Sequence, residues 1–238
     1  MTEQTGADSA NPSHARLVIA VDGPAAAGKG TLAKLLAARL GLPHLDTGLL
    51  YRATAARLID AGWPEDAAQA ASRAAELAAS LGTADLARTD LRTPPVDRGA
   101  SAVAAMPAVR AALLDLQRSF AAHHGAVLDG RDIGTVIFPH APVKLFVTAS
   151  PAARARRRWA QLNPGADPTT DAARTAIAAT EAALVARDAA DAGRADAPLA
   201  RAMDAVELDS STLDIEAVLE RALAIVAERA GAPRTDYS

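Results

Sequence analysis

One nine-residue stretch, Gly23-Pro24-Ala25-Ala26-Ala27-Gly28-Lys29-Gly30-Thr31, constrains this chain more than any other. It follows an apolar run, Leu17-Val18-Ile19-Ala20-Val21, that reads as a buried strand, and it precedes Leu32, Leu35, Leu36 and Leu40 at helical spacing. A strand that runs through a glycine-bearing loop into a helix N-terminus makes a phosphate cradle. Successive backbone N–H groups and the positive end of the helix dipole converge there on an anion. Lys29 adds a flexible point charge able to reach the β- and γ-phosphates of a nucleotide. The common form of this loop has Ser or Thr directly after the lysine, where the hydroxyl meets Mg²⁺. Here Gly30 takes that place and Thr31 follows it, so Thr31 is the candidate metal-contacting hydroxyl. The competing reading is a merely structural glycine turn. Three lysines (Lys29, Lys34 and Lys144) against twenty-two arginines argue against a chance lysine at this point.

At 238 residues the chain suits one domain with a substantial core. Half of it is hydrophobic but only 3% is aromatic, which points to a helical, aliphatic interior rich in alanine. Without cysteine, disulfides, thiolate metal sites and a cysteine nucleophile are excluded, which suits the expected cytoplasmic location without requiring it. A net charge of −3 gives no reason to expect nucleic-acid binding, and no apolar run reaches the length of a membrane span. Residues 1–15 and 231–238 are polar and are expected to be disordered tails around a domain at 16–230.

Five apolar segments read as strands, at 17–21, 43–45, 126–129, 143–147 and 205–208, with helical patterns between them. That alternation favours an α/β fold with a parallel sheet covered on both faces. The connection from the second strand to the third is far too long for one crossover helix, so a helical sub-domain is expected at about 62–124. One of its helices, 107–122, begins at Pro107 and sets Val109, Leu113, Leu116 and Phe120 on one face. A breaker-rich loop, Asn163-Pro164-Gly165-Ala166-Asp167-Pro168, follows an arginine-rich helix at 151–161 and marks a short lid at about 158–172.

Polar clusters fall where such sheets bind ligands, at the carboxyl ends of strands. After the second strand comes Asp46-Thr47-Gly48-Leu49-Leu50-Tyr51-Arg52, which is either a helix cap with a solvated Arg52 or part of the site. The third strand ends in Asp129-Gly130-Arg131-Asp132, either a turn whose charges pair or a Mg²⁺ carboxylate beside an anion-binding arginine. Arg154, Arg157 and Arg158 share one helical face, and so do Arg187, Asp191 and Arg194. Arginine fits phosphate bidentately and keeps its charge. The histidines show no metal-ligand spacing and no triad. An acceptor that is itself a phosphate needs no general base, and catalysis then reduces to alignment and charge neutralisation.

Taken together, these segments resemble the bacterial cytidylate kinases of the nucleoside monophosphate kinase family. The likeness spans roughly 17–229, and its carriers include residues 23–31, 46–52, Arg92-Thr93-Pro94-Pro95-Val96, 100–110, 128–139 and 187–194. It implies a P-loop nucleoside triphosphate hydrolase-like fold of five parallel strands, with the inserted segment binding the monophosphate. It implies transfer of the γ-phosphoryl group of ATP to CMP or dCMP with Mg²⁺, by a monomer. Residues 23–31 would hold ATP, and Arg52 and Arg131 the acceptor phosphate. Thr47, Ser101, Arg110 and Asp132 would surround cytosine, while Arg187 and Asp191 would meet the pentose. Lys29, Arg131, Arg157, Arg158 and Arg194 would neutralise charge as the lid closes and excludes water. Two departures stand out: Leu49 is bulkier than the small residue common there, and the segment around 82–92 is short. Rival readings are a kinase of the same fold for UMP, AMP or shikimate, a nucleotide switch with no acceptor, and a scaffold that has lost activity.

Overall fold

In the computed structural model, residues 17–230 are described, so both expected tails lie outside the described residues. Five parallel strands, β1 (Val18–Asp22), β2 (His44–Asp46), β3 (Ala126–Gly130), β4 (Val143–Thr148) and β5 (Val206–Asp209), form one sheet in the order β2-β3-β1-β4-β5. Every residue of β1 is buried because both faces of the sheet are covered. Its side chains alternate accordingly: Val18 and Ala20 join one apolar cluster, and Ile19 and Val21 the other.

The Ile19 face is covered by α1 (Lys29–Leu40) and α9 (Ile215–Ala230), through Leu32, Leu36, Val218 and Val226. The Ala20 face is covered by the long connection between β2 and β3. It comprises α2 (Thr47–Asp60), α3 (Ala67–Ala79), the single turn α4 (Thr83–Leu86), α5 (Pro94–Val103) and α6 (Pro107–Phe120). Prolines at the start of α5 and α6 set φ for a first turn whose N–H groups lack intrahelical partners anyway. Buried Leu50, Leu58, Leu77, Val103 and Leu113 knit α2, α3, α5 and α6 to the sheet. No strand lies between β2 and β3 among the described residues, consistent with the short 82–92 segment.

Beyond β4 come α7 (Pro151–Leu162) and α8 (Asp171–Ala192), which pack against each other on either side of a fully exposed segment at 163–170. Ser150 caps α7 and Thr170 caps α8, each accepting from the N–H three residues on. No single described helix is long and apolar enough to cross a membrane. The bent pair α5 and α6 is apolar by composition, but its faces are packed on α2 and α3.

Several boundaries differ instructively from expectation. Each strand runs one residue further toward its carboxyl end than its expected segment, so Asp22, Asp46 and Asp209 are the last residues of β1, β2 and β5. A polar residue at a strand end looks like loop in sequence, yet here it is paired in the sheet. Helix α6 is rotated from the expected face: Gln117 is buried and Phe120 is 38% exposed. Gln117 tolerates burial because its Nε2 donates to the Leu113 carbonyl. Helix α8 ends at Ala192, so Arg194 lies beyond it rather than on its face.

Candidate active site

The loop from β1 to α1 is held from both flanks. A Cβ on Gly23 would lie 2.1 Å from the Val147 carbonyl oxygen, so β4 can approach only a glycine there. Ala26 adopts φ 59°, a left-handed conformation that turns the chain toward the helix N-terminus. Its neighbours are tied to α7, α8 and β5. The Ala25 N–H donates to Asp188 (3.2 Å), the Ala25 carbonyl accepts from Arg154 (2.9 Å), and the Ala27 carbonyl accepts from the Ser210 hydroxyl (3.1 Å). Arg154 is buried, and its guanidinium also serves the Ala149 carbonyl and the Asp188 carboxylate. It therefore braces the loop instead of sharing a charged face with Arg157 and Arg158.

Lys29 opens α1 and reaches back toward the Pro24 carbonyl at 3.4 Å. Burial, and then the Arg131 charge, push its ammonium down to about 7, against the pull of Asp129 and Asp46. A group so placed gains most from an incoming anion. Asp129 lies under the same helix start: its Oδ1 meets His44 Nε2 at 2.8 Å, and its Oδ2 faces Gly30. A Cβ at position 30 would come within 3.4 Å of that oxygen, so glycine keeps the carboxylate close to the helix N-terminus. Thr31 is exposed at the same end of α1. Thr47 is buried, and its hydroxyl donates to the Asp129 carbonyl at 2.8 Å, which fastens the start of α2 to β3.

Asp22, not singled out in the sequence, accepts the N–H groups of Ile133 (2.8 Å) and Gly134 (2.7 Å) and so caps a π-helical turn at Ile133–Ile137. Burial raises its carboxyl to about 6 even though those two bonds oppose the shift. The turn in turn fixes Asp132, which pairs with Arg110; Arg110 also donates to the Tyr51 hydroxyl at 3.2 Å. Burial raises the Asp132 carboxyl above its usual range despite Arg110, and raises the Tyr51 phenol to about 12. Ser101, half-buried nearby on α5, donates to the Asp97 carbonyl at 3.4 Å.

The arginines gather around two carboxylates. Asp191, on α8, accepts from Arg131 Nε at 2.8 Å and also from Arg194. Asp97, on α5 and unremarked in the sequence, accepts from Arg52 Nε (3.1 Å) and NH2 (3.0 Å) and from Arg158 (3.3 Å). Arg187 stands 4.0 Å from the same carboxylate, and its Nε is buried with no partner among the described residues. Burial pulls the Arg187 guanidinium below its ordinary value, and Arg131 adds to the shift. Arg157 lines the same cleft, its guanidinium donating to Ser210 and the Leu213 carbonyl just beyond β5. No group of three or more histidine or acidic side chains able to hold a metal by itself occurs among the described residues.

One cleft of about 1630 Å³ joins these parts, running from the glycine loop past Arg131 and Arg187 to Ser101, Arg110 and Asp132. A phosphate cradle at the carboxyl ends of a parallel sheet, facing a second gathering of arginines, defines a P-loop phosphotransferase. Comparison with known proteins narrows the class. The family model described as "Cytidylate kinase" matches residues 19–228, and the chain belongs to that family. It is 59% identical to the cytidylate kinase of Acidiphilium cryptum over 199 residues, covering 83% of this chain and 89% of that one. Against the cytidylate kinase of Granulibacter bethesdensis it is 56% identical, covering 89% and 97%. Against that of Azorhizobium caulinodans it is 55% identical, covering 90% and 99%.

Proposed function

We propose that this cleft transfers the γ-phosphoryl group of ATP to CMP or dCMP, giving ADP and CDP or dCDP. The observation that carries the reading is a pair of cationic anion sites in one cleft, the glycine loop with Lys29 and the arginines around Asp97 and Asp191. An acceptor phosphate oxygen attacks the γ-phosphorus while the bond to the β-phosphate oxygen breaks, and ADP leaves. Already ionised, that oxygen needs no base. Residues 23–31 hold the donor phosphates, and Arg52 and Arg131 take the acceptor phosphate. Lys29, Arg131, Arg157, Arg158 and Arg194 answer the charge that spreads over the transferring group.

At the far end of the cleft, Arg110 suits the carbonyl edge of cytosine and Asp132 its amino group. Ser101 and Thr47 border the same space, and Arg187 and Asp191 lie between it and the phosphates, where the pentose joins the two. Mg²⁺ prefers oxygen ligands, few protein carboxylates and substrate phosphates. The Asp129 oxygen facing Gly30, with the Thr31 hydroxyl exposed nearby, fits that preference, and these two residues would hold the ion directly or through water. When bound, the ion would supply charge neutralisation for the donor phosphates. The end of α7 and its exposed connection to α8, about 158–172, act as the lid over the inserted acceptor segment. Family resemblance supports a monomer working in the cytoplasm.

ADP release by the purified protein with ATP and Mg²⁺, measured with CMP, dCMP, UMP, AMP and shikimate, tests the reading. Strong release with CMP and dCMP is expected. ATP binding without acceptor-dependent turnover would overturn it.

A further inference from the structure

Asp97 stands out among the acidic side chains of the cleft. It sits on α5, inside the connection between β2 and β3, yet its partners come from three other helices: Arg52 on α2, Arg158 on α7 and Arg187 on α8. Its side chain is 20% exposed, so it is neither a freely solvated surface charge nor a sealed structural one. One carboxylate oxygen accepts both Nε and NH2 of Arg52, and the other accepts from Arg158. These are charge-assisted donors that a phosphate oxygen could equally take. The three cations repel one another, and a single negative charge holds them together without satisfying them. Arg187 also keeps a buried Nε with no partner among the described residues.

The geometry points to Asp97 as a placeholder for the acceptor phosphate. This inference rests on the CMP kinase reading and assigns a specificity role inside it. While Arg52 keeps its Nε edge on Asp97, a phosphate can take that edge only by displacing the carboxylate. The acceptor must therefore take Arg52 over, against the repulsion of a neighbouring carboxylate. A bare inorganic anion faces the same exchange with no base or pentose contacts to assist it. Asp97 thus keeps the arginines gathered between turnovers and discriminates against phosphate-like anions without a nucleoside. It acts through the arginines, as a positioning residue.

The decisive comparison is calorimetric binding of CMP, cytidine and inorganic phosphate to the wild type, Asp97→Asn and Asp97→Glu. Asparagine keeps the shape and removes the charge. Asp97→Asn is expected to bind CMP about tenfold more tightly, the order set by one like charge at close range. Its cytidine affinity should stay unchanged, and inorganic phosphate should become a measurable competitor of CMP. Asp97→Glu, which keeps the charge, should stay near wild type for all three. Unchanged or weaker CMP binding by Asp97→Asn, with the wild type binding CMP normally, would overturn the placeholder. Equal gains for CMP and cytidine would also overturn it, since cytidine carries no phosphate. A wild type that binds no CMP would defeat the acceptor reading itself, and the placeholder with it.

Discussion

The Asp191 carboxylate accepts the Arg131 Nε at 2.8 Å and so ties α8 to the end of β3. Arg194 shares the same carboxylate, whose side chain is only 2% exposed. Two guanidiniums are thereby held side by side in the cleft. The buried negative charge stabilises their approach, and the arginines retain other N–H donors for substrate.

Removing that carboxylate leaves two close cations unanswered. Asp191→Ala is expected to lower folding stability by about 3 kcal/mol, the lower end for a broken buried pair. Transfer to CMP should fall by about a hundredfold as Arg131 loses its fixed direction. Urea unfolding and initial rates measure both. Unchanged stability would show that the two arginines repel less than their spacing implies.

Lys29 titrates near neutrality in the nucleotide-free protein, since burial and Arg131 bring it down to about 7. Donor phosphates favour its charged form, so at pH 8 ATP binding should take up a proton, while at pH 6 uptake should be small. Calorimetry in two buffers of different ionisation enthalpy reads the difference. Lys29→Met should abolish the uptake at pH 8 together with most of the turnover. The sign for stability follows the same shift. The folded value lies below the unfolded one of 10.5, so the cost of the buried ammonium is fully present below about pH 7 and is relieved as pH rises toward 10.5.

Asp22 works in the opposite direction. Its folded value of about 6 exceeds the unfolded 3.8, so the folded protein binds this proton more tightly. Stability should fall as pH rises from about 4 to 6, by up to about 3 kcal/mol from this group. Asp22→Asn should flatten that slope in urea titrations. It should also weaken the Ile133–Ile137 turn, because the single amide oxygen replaces two acceptors for the Ile133 and Gly134 N–H groups. An unchanged slope would place the titration elsewhere.

What the sequence made legible was local chemistry. Gly23 to Thr31 declares a phosphate loop because strand, glycine and helix signals fall within a few residues of one another. Arg52 and Arg131 stood out singly, and Arg158 and Arg187 within two helical arginine sets; the fold brings all four to one cleft. Asp22, Asp97 and Asp188 carry no such signal, since each gains its meaning from partners far away along the chain. Asp188 is one residue from Arg187, yet its role is to hold Ala25 and Arg154. Arg154 could not be told from Arg157 and Arg158 by spacing, because helical periodicity gives a face but not what covers it. The buried Gln117 was missed for a related reason: a polar side chain that satisfies itself on its own helix reads as surface.

The Arg110–Asp132 pair offers the sharpest test of base selection. Both side chains are largely buried, at 10% and 7% exposure, and each completes the other while the base is absent. Cytosine would set its carbonyl against Arg110 and its amino group against Asp132. Uracil has a carbonyl where cytosine has the amino group, and it would turn that oxygen toward the carboxylate. Asp132→Ala should therefore weaken CMP use far more than basal ATP hydrolysis, and should narrow the preference for CMP over UMP. Arg110→Met should raise the KM for CMP and also destabilise the fold, because it strands the Asp132 charge. In the double variant that second penalty disappears, so a thermodynamic cycle should show coupling of about 1–3 kcal/mol between the two sites. Additive losses in unfolding experiments would separate the residues energetically. Equal losses of transferase and ATPase activity in Asp132→Ala would assign this carboxylate to the donor phosphates and their metal, not to the base.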